Sequence, residues 1–293
     1  GVEHFQSSDN LVENNIFQRI ATPMLSDGGN GSVFAYNFSI NDYYNVSGWA
    51  QGSAYHHGPG NSFFLWEGND GFGLMADNVH GAAHFIVAFR NRFAGYEQGK
   101  SLQTLPVHIY AANRFFSVIG NVLGTDSYHT VYSSQVGGSS SNCNKAIYAI
   151  GWGGNCSGGS LPNDPVAVST LMRWGNYDTV NDATRFQASE VPTGSQYGNA
   201  VPSSQSLPPS FYLNSKPAFF GNVPWPAIGP DVTGGSESGV GGHNAKIPAR
   251  RCFEDVMRGS FSDTTARTFD PANCYSSSAS QTRPKPPTSV TAG

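Results

Sequence analysis

The sequence predicts an all-β, turn-rich fold: a parallel β-helix, a solenoid with coils of about 22 residues. Three observations lead to it. Short apolar runs recur, and each closes on an asparagine: Leu11–Asn15, Val33–Asn37, Phe64–Asn69, Ile86–Asn91 and Val118–Asn121. The intervals are regular, because Asn15 to Asn37 and Asn69 to Asn91 are each 22 residues. Asn37 to Asn69 (32) and Asn91 to Asn121 (30) read as one period plus an insertion of ten or eight. Finally, 12% of residues are charged while 13% are aromatic, the reverse of a disordered chain.

Within residues 1–130 each run is rich in β-branched and aromatic side chains and is bounded by Gly, Asn, Asp or Ser. That is strand chemistry between turns. No stretch there keeps a helical period. Coils stacked at the strand spacing of about 4.8 Å would pile like residues on like. An asparagine at each tight turn can bond its own turn and the asparagine of the next coil. The column Asn15, Asn37, Asn91 and Asn121 therefore reads as a turn ladder. By the same register Asp70 and Arg92 fall in one column, about 5 Å apart, as an exposed pair.

The domain reading places coils over 1–190, with insertions at 41–60 and 94–108 and a disulfide loop at 136–160. Residues 191–275 form an extended proline-rich strap with a short helix at Ala249–Met257. Residues 276–293 read as a linker to a further C-terminal module, and the first coil begins so early that preceding coils are expected. The four cysteines allow three pairings. The sequential one, Cys143 with Cys156 and Cys252 with Cys274, closes short loops and is favoured. Two disulfides and few lysines point to an oxidising, extracellular setting. A net charge of −4 with 16 scattered Lys and Arg argues against nucleic acid. No apolar run reaches the length of a membrane span. A monomer is expected.

The insertions carry Tyr44, Trp49, Tyr55 and the pair His56-His57. Insertions in a solenoid tend to build its binding face, and flat rings beside polar groups can stack on sugars. The densest titratable cluster runs from His56 to Arg92. A lyase on uronic-acid polymers needs a base and a cation for the neighbouring carboxylate. Arg90 or Arg92 with His57, His80 or His84 would serve. A hydrolase needs two carboxylates, and Glu67 with Asp70 or Asp77 would serve. The expected catalytic set is thus His57, Glu67, Asp70, His80 and Arg92. Tyr44, Trp49, Tyr55, His84 and Arg90 form the expected binding set. No metal motif occurs, so no metal or other cofactor is expected, and Ca2+ has no motif to support it.

The runs around Asn15, Asn37, Asn69 and Asn121, with Leu171–Asp178, Trp225–Thr233 and Lys246–Arg250, resemble secreted bacterial right-handed parallel β-helix proteins of the pectate-lyase-like superfamily. The resemblance reaches to about residue 275. It implies an extracellular, polysaccharide-active protein, lyase or hydrolase, on a glycan that can be acidic. The alternative it implies is a non-catalytic carbohydrate-binding or adhesion module. The pectate-lyase segment Arg-x-Pro-x-x-Arg has only Lys246-Ile-Pro-Ala-Arg-Arg251 as a counterpart, with Lys in the first place.

Overall fold

The computed structural model describes residues 1–138, 142–194, 197–198 and 200–275. The proposed linker at 276–293 lies outside the described residues, as do three residues of the 136–160 loop. Short strands assemble into three sheets of seven, six and seven strands. The first runs in the order Val2–Phe5, Met24–Asp27, Ala54–His56, Leu74–Ala76, Val107–Ile109, Ala146–Ile150, Val131–Gln135. The second runs Leu11–Glu13, Val33–Ala35, Leu65–Glu67, Val87–Phe89, Ser117–Ile119, Met172–Trp174. The third runs Ile16–Gln18, Phe38–Ile40, Asp70–Gly71, Arg92–Phe93, Val122–Leu123, Asn176–Asp178, Ala183–Arg185.

This topology corrects the expected single right-handed solenoid of even coils. There are three sheets side by side, and the third is mixed because Ala183–Arg185 pairs antiparallel with Asn176–Asp178. In the first sheet Val131–Gln135 pairs with Ala146–Ile150, the strand next to it in the chain. The intervals are uneven too: along the first sheet Met24, Ala54, Leu74 and Val107 are register partners at separations of 30, 20 and 33 residues. Loops of differing length leave different edges, so no one period describes all three sheets.

The asparagines bind the second sheet to the third. Asn15, Asn37, Asn69, Asn91, Asn121 and Asn176 form a continuous chain. Each donates its backbone N–H and its Nδ2 to Oδ1 of the next, at 2.8–3.0 Å. Nδ2 also reaches a backbone carbonyl inside the turn, as from Asn91 to Trp66 at 2.8 Å. The left-handed residue of the turn is the one before each asparagine: Asn14, Tyr36, Gly68, Arg90, Gly120 and Gly175 have φ of 53–66°. Gly68 has a second reason to lack a side chain, since a Cβ there would sit 2.4 Å from the Tyr36 ring.

Stacked aromatics fill the space between the sheets. Phe34 stacks on Trp66 at 4.7 Å and on Phe64 at 5.7 Å, with Leu74, Val107, Ile109 and Phe116 around them. A second core lies outside, under residues 211–253. There Phe220, Ile228, Val240, Ile247 and Phe253 cover Tyr36, Phe38, Val122 and Tyr177. Each such side chain taken from water contributes about 1.5–3 kcal/mol. A one-turn helix, Pro248–Arg251, runs into a π-helical turn, Cys252–Val256. The cysteines pair Cys143–Cys156 and Cys252–Cys274, and no helix among the described residues is long and apolar enough to cross a membrane.

Candidate functional site

The outer face of the first sheet carries a groove of about 530 Å³. Its walls include Tyr44, Trp49, Tyr55, His57, Asp77 and Tyr110, with Gln51 and Gln103 between them. Two insertions build one wall together. Trp49 pairs with Leu102 as a parallel bridge, and Ala50 N–H donates to the Leu102 carbonyl at 2.8 Å. Lys100 Nζ donates to the Trp49 carbonyl at 3.0 Å. Tyr44 and Trp49 lie 6.2 Å apart, centre to centre, at the rim. Beneath them Tyr110 stacks on His108 at 4.2 Å, and Gln103 Nε2 donates to the Tyr110 hydroxyl at 2.6 Å. These contacts hold the rings without motion-prone linkers, which suits a preformed site.

The groove's polar centre follows from register. Ser26, His56 and Ala76 are partners on neighbouring strands. One residue further, the same register sets Asp27, His57 and Asp77 in a row, roughly 4.8 Å apart. His57 Nδ1 lies 2.7 Å from Asp77 Oδ2, which also accepts from the Tyr55 hydroxyl. Asp77 Oδ1 accepts from Val79 N–H at 3.2 Å. The bond to Asp77 raises the His57 pKa, burial opposes it, and Asp77, Asp27 and Glu3 add to the rise through their charge. His57 is therefore biased toward its charged form near neutral pH. Its Nε2 has no protein partner among the described residues, and His80 stands edge-on to it at 4.6 Å.

The structure brings together His57, His80, Tyr44, Trp49 and Tyr55 from the expected sets. It takes the others elsewhere. Glu67 is wholly buried on the second sheet, accepting from the Tyr36 hydroxyl at 2.9 Å and from Phe211 N–H at 2.8 Å. Burial raises its pKa. Arg90 is 2% exposed and holds the strap. It makes a bidentate pair with Asp231 and donates to the carbonyls of Leu207, Pro208 and Ile228.

Asp70 and Arg92 are register partners on the third sheet, yet they do not form an exposed pair. The strap buries both and stands between them. Arg92 Nε donates to Glu237 at 2.8 Å, and Arg250 Nη1 bridges Glu237 (3.0 Å) and Asp70 (2.8 Å). Arg92 and Arg250 hold Glu237 down at about 2, against its burial, while burial raises Asp70. Lys246-Ile-Pro-Ala-Arg-Arg251 thus supplies a strap clamp through Arg250. His84 sits in the turn column Asn30, Ser62, His84, Arg114, away from the groove lining.

Gln51, Gln103 and Tyr110 are groove residues absent from both expected sets, and Asp77 was only a spare carboxylate. The signal for Asp77 is its separation of 20 residues from His57, the first-sheet interval, whereas the asparagine register counts 22.

No family model, curated protein or solved structure matches this chain. Together with the sheet topology, this overturns the pectate-lyase-like resemblance and the repeat architecture that came with it. No group of three or more His, Cys, Asp or Glu among the described residues is arranged to hold a metal ion.

Proposed function

We propose that the protein is a glycan-binding module whose binding surface is the groove bounded by Tyr44, Trp49, Tyr55 and Tyr110. The observation that carries this reading is the combination in that groove of aromatic faces with amides and hydroxyls. Sugars present apolar ring faces and polar edges, which such a lining matches. The two disulfides are compatible with an extracellular protein, where such glycans are met.

A catalytic reading, lyase or hydrolase, has one specific observation in its favour: the His57–Asp77 pair, with Nε2 free to move a proton. The rest of the expected machinery is engaged elsewhere. Arg90 and Arg92 clamp the strap, and Glu67 and Asp70 are buried beneath it. Asp77 already accepts from Tyr55, His57 and Val79.

The test is a polysaccharide panel scored for binding by calorimetry, for new reducing ends and for the absorbance of unsaturated products. Saturable binding without product is expected, with Trp49→Ala weakening it roughly 10-fold or more, as loss of a stacking ring does. Product formed by the wild type and lost in His57→Ala would move the assignment to the enzyme reading. An unaltered affinity in Trp49→Ala would reject the groove.

A further inference from the structure

We infer that the groove takes an uncharged glycan and turns polyuronates away. This rests on the groove being a glycan site and adds the charge class of its ligand. The lining holds no Lys or Arg. Its charged groups are Asp77 and His57, paired at 2.7 Å and so close to neutral together. Around them the field is acidic. Asp27 stands in the row beside His57, and Glu3 is near enough for its charge to act on the same ring.

The cations that could have offset this are committed elsewhere. Arg90 is satisfied by Asp231 and three carbonyls, and Arg92 by Glu237. Lys100 is held on the Trp49 carbonyl and acts on the buried carboxylates of Asp42 and Glu97. His80 is the one further basic side chain against His57.

A polyuronate brings one carboxylate per sugar. Recognition of a carboxylate relies on a cation, best of all on a guanidinium that donates twice. Here each carboxylate would lose water and meet Glu3, Asp27 and Asp77 instead. A neutral sugar meets no such penalty. Its hydroxyls find Gln51, Gln103 and the Tyr110 hydroxyl, groups that both donate and accept.

The intact protein would be titrated with neutral oligosaccharides (cello-, xylo- and manno-series) and with oligogalacturonate and alginate oligomers, at low and high salt. Neutral ligands are expected to bind with little salt dependence. Polyuronates are expected to bind at least about 10-fold more weakly at low salt, the gap narrowing as salt screens the carboxylates. Asp27→Lys should raise polyuronate affinity roughly 3- to 10-fold at low salt. Glu3→Lys, at an exposed position, makes the same test should Asp27→Lys not fold. Tightest binding to a polyuronate at the groove, or no response to either charge reversal, would overturn the charge assignment alone. Binding of no saccharide of either kind would overturn the glycan reading with it.

Discussion

Asn91→Ala is expected to destabilise the protein by about 3–5 kcal/mol, because it leaves several buried polar groups unpaired at about 1–3 kcal/mol each. Asn91 Oδ1 accepts from the backbone N–H and Nδ2 of Asn69, both at 2.9 Å. Its Nδ2 supplies the Trp66 carbonyl and Asn121 Oδ1. Asn69, Asn91 and Asn121 are all essentially inaccessible to water, so nothing replaces those partners. Asn15, at the end of the same ladder, is exposed, and Asn15→Ala should cost under about 1 kcal/mol. Urea unfolding of the two variants checks this. Equal losses would mean that the ladder is not a cooperative feature of the core.

Arg250→Ala is expected to cost about 3 kcal/mol at neutral pH, within the range for breaking one side of a buried ion pair and at its low end because Arg250 is one-fifth exposed. The variant leaves Asp70 and Glu237 to share Arg92. The sign of the pH dependence follows. Asp70 already has a folded pKa raised by burial, and Arg250 is the largest influence lowering it. Without Arg250 it rises further, so the folded state holds the proton more tightly than the unfolded chain. That destabilisation is present at high pH and disappears as Asp70 is protonated. Glu237 works the other way: held at about 2, it contributes stability above its unfolded value of 4.5 that is lost between 4.5 and 2. Arg250 supplies part of that depression. Both effects make the gap between variant and wild type widest at neutral pH and narrower in acid. A gap constant from neutral pH to about pH 3 would show that Asp70 and Glu237 do not depend on Arg250.

The two substitutions probe features of very different legibility. The asparagine ladder was visible in the sequence because its members end like runs, and the turn chemistry explains why nothing else serves. The sheet arrangement was not, because the asparagine interval describes only the edge between the second and third sheets. Loops leave the first sheet at other places, so Tyr55 and Met75 are neighbours at 20 residues while Asn69 and Asn91 are neighbours at 22. An even-coil reading forces one number on both.

The candidate site divides along the same line. Tyr44, Trp49 and His57 were found as interruptions of the pattern, and interruptions are where the surface is built. Glu67, Arg90, Asp70 and Arg92 were grouped with them by proximity in the chain. Their true partners, Phe211, Asp231, Glu237 and Arg250, come from a strap more than a hundred residues away. Nothing local in the sequence marks that strap as the cover of those charges. Its proline-rich, aromatic composition says only that it is extended and packed.

The most direct test of the groove is a nuclear magnetic resonance titration of the intact protein with a neutral oligosaccharide. The Trp49 indole N–H and the His57 ring resonances are expected to shift saturably and together, while the indole of Trp66, buried between the sheets, stays unchanged. Saturable shifts confined to the cleft around Ser169, Arg173 and Glu190, with Trp49 and His57 silent, would contradict the assignment.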